Sequence, residues 1–229
     1  MNVELISYSQ IASTSQQDLF ESSPDLLDLV AFCARVSNPS NQMNQETSER
    51  LIRYLAKHKH WSPFEMVSVC LEIETTRDIA RQMLRHRSFS FQEFSQRYAD
   101  PTKDLEFVTR EARLQDQKNR QNSIPTDDEE LKQVWDTWQR NVCDQALLAY
   151  KWAIDNGIAK EQARSVLPEG LTMSRMYMNG TLRSWIHYIE LRSGNGTQLE
   201  HIEIAKACAK VISEIFPMVN EYVEGEENV

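Results

Sequence analysis

From Met66 to Thr75 apolar and polar residues alternate, with Val67, Val69, Leu71 and Ile73 set against Ser68, Cys70, Glu72 and Glu74. A period of two predicts a strand with one buried face. Val3 to Tyr8 reads as a second, short strand, and Leu171 to Met178 as a further extended segment. Elsewhere the period is helical. Leu26, Leu27, Leu29, Val30, Phe32 and Cys33 follow Ser23-Pro24-Asp25, which supplies an N-cap, a proline at the first helical position and an acid near the positive helix end. That helix ends near Val36, before the turn from Ser37 to Asn41.

A second helix runs from about Thr47 to Lys57 and buries Leu51, Ile52, Leu55 and Ala56. Thr75-Thr76 turns the chain into a short helix anchored by Ile79 and Met83. After it come the corner Arg85-His86-Arg87 and an extended arm to Tyr98, on which Glu93, Ser95 and Arg97 share a face. A long helix begins after Ile124-Pro125-Thr126-Asp127-Asp128-Glu129 and continues through Trp135, Trp138, Val142, Leu147 and Trp152 to Asn156-Gly157. Its tryptophans, at helical spacing, read as core. Lys160 to Val166 forms a short helix stopped by Pro168, and Gly180-Thr181 caps one that turns Leu182, Trp185, Ile186 and Ile189 to the core. Leu199 to Phe216 is the last helix, broken or restarted at Pro217.

No repeat or linker divides the chain, so residues 1–229 read as one mixed domain of helix and sheet, with an exposed polar insertion at 100–126 and a frayed acidic tail at 221–229. With 229 residues, 41% hydrophobic and 26% charged, the composition is that of an ordinary globular protein. A net charge of -9 argues against a binder of polymeric nucleic acid. No apolar run approaches bilayer length and Met1 to Ile6 has no signal-like pattern, which predicts a cytoplasmic protein without a membrane partner. Cys33, Cys70, Cys143 and Cys208 are too widely spaced for a metal signature and read as reduced, mostly buried thiols. Lys57-His58-Lys59-His60 lacks an acidic or cysteine partner, so no metal site is expected.

Against the acidic background, Arg77 to Arg97 holds five arginines, no lysine and only two carboxylates, Asp78 and Glu93. Arginine presents a rigid fork of donors and keeps its charge when desolvated, so the cluster suits a phosphate or a carbonyl edge. Phe89, Phe91, Phe94 and Tyr98 interleave with Ser88, Ser90, Gln92, Ser95 and Gln96, adding stacking surface for a planar ring. The plainer alternative is a solvated arginine face paired with acidic neighbours. With only 6 glycines there is no dinucleotide fingerprint and no phosphate loop, and no serine or cysteine sits in a nucleophile elbow. What remains is a set of cations and donors suited to electrostatic control of a reactive bound molecule, with the hard chemistry carried by a cofactor.

Arg85-His86-Arg87, seven residues and then Ser95 resembles the signature of the flavin-dependent thymidylate synthases. Ala34-Arg35-Val36-Ser37, His60 to Glu65, Ala80-Arg81-Gln82, Ser95-Gln96-Arg97-Tyr98, Ala163 to Pro168, Leu182-Arg183-Ser184-Trp185 and Glu190-Leu191-Arg192 look like further blocks of that family, in family order. The resemblance implies an α/β (α+β) fold with an antiparallel-rich sheet packed with helices, and a homotetramer with active sites shared between subunits. It also implies conversion of dUMP to dTMP with FAD as cofactor, 5,10-methylenetetrahydrofolate as carbon donor and NADPH as reductant, without an enzyme thiol.

Carried over by position, Gln82, Met83, Leu84, Arg85, Glu93, Phe94, Ser95, Gln96, Arg97 and Arg164 match dUMP positions. Arg192 matches the residue that also activates the uracil ring. Ser62, Arg85, His86, Arg87, Glu93, Thr181, Leu182, Arg183 and His187 match FAD positions. Two departures stand out: Gly180-Thr181 occupies a place where relatives often carry Asn, and Gly194-Asn195-Gly196 a place where some carry His. Taken singly, His86 also reads as a packed histidine, Ser95 as a strand residue and Arg164 as a partner for Glu161 or Glu169. The competing functional readings are a non-enzymatic binder of nucleotides or RNA loops, and a flavoprotein oxidase without methyl transfer.

Overall fold

The protein's structure, a computed structural model, describes residues 1–12, 20 and 24–223. Its main sheet has the order β1 (Asn2–Tyr8), β2 (Ser68–Thr76), β6 (Met173–Thr181), β3 (Phe89–Glu93), and every neighbouring pair is antiparallel. Val69, Leu71 and Ile73 of β2 and Met176 and Met178 of β6 are fully buried. On the other face Arg175 reaches Glu74 at 2.6 Å. The mixed helix and antiparallel sheet accords with the fold class expected from sequence.

One core cluster joins this inner face to α1 (Leu26–Ala34), α2 (Ser48–Lys57), α7 (Leu182–Arg192) and α8 (Leu199–Ser213). Asp25, not Ser23, caps α1: its side chain accepts from the Asp28 backbone at 2.8 Å in a capping box, while Ser23 lies outside the described residues. Trp185, buried in the middle of α7, donates its indole N–H to the Val69 carbonyl at 2.9 Å and so fixes the helix to β2.

Both central strands run straight into helices. Thr76 ends β2 and Arg77 opens α3 (Arg77–Met83), while Thr181 ends β6 and Leu182 opens α7. Because β2 and β6 are antiparallel, with Ser68 opposite Thr181 and Thr76 opposite Met173, α3 and α7 start from opposite ends of the sheet. The chain after α3 returns to the Thr181 end, where Phe89 pairs with Gly180.

The segment from Asp100 to Thr126 contains a helical turn, α4 (Pro101–Asp104), and a hairpin of β4 (Arg113–Gln115) with β5 (Ser123–Pro125). It is tied down by the bridge from Phe107 to Thr172 and by Arg110, which bonds Asp78 at 2.7 Å. Then comes α5 (Glu129–Asp155), followed by the short α6 (Lys160–Ala163). Helix α5 buries Gln139, Cys143, Ala146, Tyr150 and Ala153, with Gln139 accepting from the Arg110 N–H at 2.8 Å.

Two expectations need correction. Trp135, Trp138 and Trp152, read as core, are 45%, 62% and 63% exposed, because the helix rests on an adjacent face of smaller residues. The tail is folded as far as Val223: Glu221 lies in a 3-10 turn over Pro217–Tyr222 and pairs with Arg53, whereas 224–229 fall outside the described residues.

Gly180 is required by a neighbour and not by its own backbone. A Cβ there would lie 2.4 Å from the Phe89 ring, which is itself packed edge-on to Trp185 with centroids 4.8 Å apart. Gly180→Ala must push that ring away, and a thermal melt is expected to show a loss of about 1–3 kcal/mol.

Candidate active site

Helix α7 carries several of the residues expected at the site along its length and runs past the Leu84 to Ser88 stretch in the opposite direction. At its start, Thr181 caps the helix by accepting from the Ser184 N–H at 3.3 Å, and the Ser184 hydroxyl donates to the Ser88 carbonyl at 3.2 Å. Arg183, in the first turn, pairs with Glu65, and His187, one turn on, stands edge-on to Trp61 with centroids 4.7 Å apart. Ser62 is exposed in the adjacent 3-10 turn Ser62–Glu65. Thr181, Arg183, His187 and Ser62 thus lie in one neighbourhood, reached by the Arg87-Ser88 corner. Leu182 is part of the core and donates its N–H to the Val67 carbonyl at 3.0 Å, so neither its side chain nor its N–H is open to a ligand.

At its other end, Arg192 is the last residue of α7, where the negative end of the helix dipole favours a cation. Its Nε donates to His86 Nε2 at 2.9 Å, and the His86 ring stands edge-on to Tyr188, centroids 5.0 Å apart. Burial, then the charges of Arg192 and Arg85, push the His86 pKa down to about 4. With Nε2 accepting from a guanidinium, the neutral ring carries its proton on Nδ1.

Behind this pair lies a polar group among apolar residues. His201 on α8 is fully buried; its Nδ1 meets the Gln82 oxygen at 3.2 Å and its Nε2 meets the Tyr188 hydroxyl at 3.1 Å. Burial, followed by the charge of Arg192 and the nearby His86, pushes the His201 pKa down to about 3. Gln82 also donates to Gln198 at 2.9 Å. The sequence reading missed His201, although it occupies the apolar stripe of α8 with Ile204, Ala205, Cys208 and Ile212. A polar ring at such a position requires a partner.

The arginines separate into paired and unpaired sets. Arg77 and Arg81 both meet Glu169, and Arg77 also reaches Glu93 at 3.4 Å. Glu93 further accepts from the Ser174 hydroxyl at 2.8 Å. Among the described residues, the guanidinium groups of Arg85, Arg87 and Arg164 have no hydrogen bond or ion pair. Arg97 meets Glu161 at 3.5 Å on an exposed surface, a pair of little energetic weight, and that contact brings the Ser95 loop beside the segment bearing Arg164. Arg81 and Arg77 hold α3 to Glu169, on the same segment.

The expected extended arm ends early. β3 stops at Glu93, and the N–H groups of Tyr98 and Ala99 both bond the Ser95 carbonyl at 3.1 Å, so Ser95 to Tyr98 is a turn. Ser95 and Arg97 therefore do not share a strand face with Glu93; instead the Ser95 hydroxyl accepts from the Arg97 N–H at 3.4 Å. Gln96 is buried with its amide nitrogen unpartnered, and Phe94 donates its N–H to the Arg175 carbonyl at 2.8 Å. Met83 is fully buried core, whereas Leu84 is exposed. Burial raises the pKa of all four thiols, Cys33, Cys70, Cys143 and Cys208, so none is activated as a nucleophile.

Known proteins resemble this chain in sequence and in fold. The family described as Thymidylate synthase complementing protein matches residues 18–218. A probable flavin-dependent thymidylate synthase of Paramecium bursaria Chlorella virus 1 is 50% identical over 192 residues, 84% of this chain and 88% of the relative. The flavin-dependent thymidylate synthase of Synechocystis sp. is also 50% identical, over 86% of this chain and 88% of its own. The chain belongs to the flavin-dependent thymidylate synthase family.

Among solved structures, the UMP/dUMP methylase PolB of Streptomyces cacaoi, bound with 5-Br dUMP, superposes with a TM-score of 0.78. It is 26% identical and covers 96% of this chain and 93% of its own. Family membership brings FAD as cofactor, and the residues here fit a flavin dinucleotide. The cations Arg85 and Arg87 are uncommitted among the described residues, as a pyrophosphate requires.

The two neutral histidines give this flavin-dependent thymidylate synthase a pH signature. An unfolded histidine titrates near 6.5, well above His86 and His201 in the folded protein, so the unfolded chain binds protons first as pH falls. Their contribution to stability is full above that value and is lost as pH falls toward the folded values. The melting temperature of His201→Leu is therefore expected to decline less steeply than that of the unaltered protein between about pH 6.5 and about pH 4.

Proposed function

We propose that this protein converts dUMP to dTMP, taking the carbon from 5,10-methylenetetrahydrofolate and the reducing equivalents from NADPH. The observation that carries this reading is the Arg192 to His86 contact at 2.9 Å, beside the uncommitted Arg85 and Arg87. Bound FAD supplies hydride transfer. The protein's own groups bind, orient and polarise the nucleotide.

Arg192 spends its Nε–H on His86 and keeps the four N–H bonds of its terminal nitrogens for the substrate. A fixed cation beside the uracil favours negative charge on the ring as N3 loses its proton, which makes C5 a better nucleophile. His86, held neutral, accepts the Nε–H of Arg192 and so fixes the orientation of the guanidinium. Arg97 and Arg164 take the phosphate by charge-assisted bonds, with Arg97 exchanging its weak contact to Glu161 for a dianion. Burial keeps the thiols protonated, which accords with a route that uses no enzyme nucleophile.

The reading includes a homotetramer with active sites shared between subunits. The exposed apolar band of α5, formed by Leu131, Val134, Trp135, Trp138, Val142 and Trp152, fits burial against further copies of the chain.

Purified protein is expected to be yellow and, under anaerobic conditions with FAD, NADPH and methylenetetrahydrofolate, to form dTMP from dUMP. A colourless protein that shifts RNA, or one that consumes NADPH and oxygen without forming dTMP, overturns the reading. Arg192→Ala is expected to retain flavin absorbance while losing about a hundredfold or more in kcat. Arg97→Ala is expected to raise the Kd for dUMP by about tenfold to a hundredfold. For the assembly, Trp138→Glu is expected to shift sedimentation to species smaller than a tetramer.

A further inference from the structure

Beyond the Arg192 pair, five hydrogen bonds form a line through the interior. Arg113 and the Gln198 amide both donate to the Glu200 carboxylate, the latter at 2.9 Å. The Gln82 amide nitrogen donates to the Gln198 oxygen at 2.9 Å, His201 Nδ1 lies 3.2 Å from the Gln82 oxygen, and Tyr188 meets His201 Nε2 at 3.1 Å. Contacts 116 and 119 residues apart thus connect the β4 hairpin, α3, α7 and α8.

The direction of the whole line follows from its one acceptor-only member. An ionised carboxylate cannot donate. Burial alone would raise the Glu200 pKa, but its own backbone N–H, Gln198 and Arg113 outweigh that effect and hold it below the usual carboxylate value. Gln198 must therefore turn its NH2 to Glu200 and its oxygen to Gln82. Gln82 must answer with its NH2, which turns its own oxygen to His201. His201 must then carry its proton on Nδ1, leaving Nε2 to accept from Tyr188, whose hydroxyl burial keeps protonated. Reversing any amide sets two donors or two acceptors face to face.

We propose that Glu200 and His201 are positioning residues for the pyrimidine nucleotide: the carboxylate, acting through Gln198, sets which way round the Gln82 carboxamide faces, and His201 with Tyr188 locks it. Gln82 is left with one N–H and one oxygen lone pair in a fixed order, offered beside Arg85 and Arg192. A free glutamine could present either order and would lose rotamer and amide-flip freedom on binding; this one is set in advance. The inference rests on the dUMP reading above and adds to it a source of nucleotide orientation on α8.

The test compares the unaltered protein with His201→Leu, His201→Asn and Glu200→Gln, measuring dUMP affinity by calorimetry, KM and kcat for dTMP formation, and the tautomer of His201 by nitrogen-15 histidine spectra. His201→Leu is expected to raise Kd and KM for dUMP by about tenfold, with a smaller change in kcat and unchanged flavin absorbance. His201→Asn, which keeps an N–H near the Nδ1 position, is expected to recover most of the affinity. Glu200→Gln is nearly isosteric but can donate or accept, so it is expected to weaken dUMP and to mix the His201 tautomers. Unaltered dUMP affinity in both His201→Leu and Glu200→Gln, or an unchanged single tautomer in Glu200→Gln, overturns the inference. Failure of the unaltered protein to bind dUMP overturns the functional reading instead, and the tautomer measurement, which needs no nucleotide, still decides whether Glu200 sets the line.

Discussion

The antiparallel pairing of β2 with β6 is the constraint on which the site depends. Both strands continue into helices without a loop, so the register from Ser68 opposite Thr181 to Thr76 opposite Met173 also fixes where α3 and α7 begin. A slip of one residue would turn Leu71, Ile73, Met176 and Met178 out of the core, so the register is held by most of the apolar burial in the sheet. Arg192 and His86 then meet at a place set by helix length and by the turn after Met83. The site needs no flexible segment to bring those two groups together.

Burial next to Arg192 has opposite consequences for the groups around it. Each polar atom placed there loses water, and an unpartnered one costs about 1–3 kcal/mol. The chain meets this by linking its buried groups to one another: His86 to Arg192, His201 to Gln82 and Tyr188, Gln198 to Glu200. The same desolvation keeps both histidines neutral and leaves Arg192 as the charged member of its pair. The group therefore presents a single fixed positive charge, that of Arg192, beside two neutral imidazoles.

Much of this was legible in the sequence, and the limits have physical causes. β2, the capped start of α7 and the position of Arg192 at its end followed from period and punctuation, and β6 was read only as an extended segment ending at Met178, three residues short of Thr181. The turn at Ser95 did not follow: the two-residue period that describes β3 offers no signal for where pairing with β6 stops. The tryptophans of α5 were misplaced because a helical period reveals an apolar stripe without saying what covers it. Gln82, His201, Gln198 and Glu200 were out of reach as a group, since their contacts with one another join α3 to α8 across more than a hundred residues. The resemblance in the arginine blocks carried the functional reading where pattern alone did not.

Exposure of the α5 tryptophans and the placing of Arg164 follow from one packing arrangement. Helix α5 packs through a second, smaller cluster of Tyr150, Ala153, Ala163 and Leu167, which fixes α6 and the segment bearing Arg164 to it. Whatever covers the outer face of α5 therefore lies close to the element that carries Arg164 and, through Glu161, the Arg97 loop. If that cover is another copy of the chain, burial of the tryptophans and completion of the phosphate site become one event, and weakening the apolar contact would lower nucleotide affinity without touching a single arginine. Under that condition assembly and binding would be coupled, and the apolar surface left on α5 would have a cover.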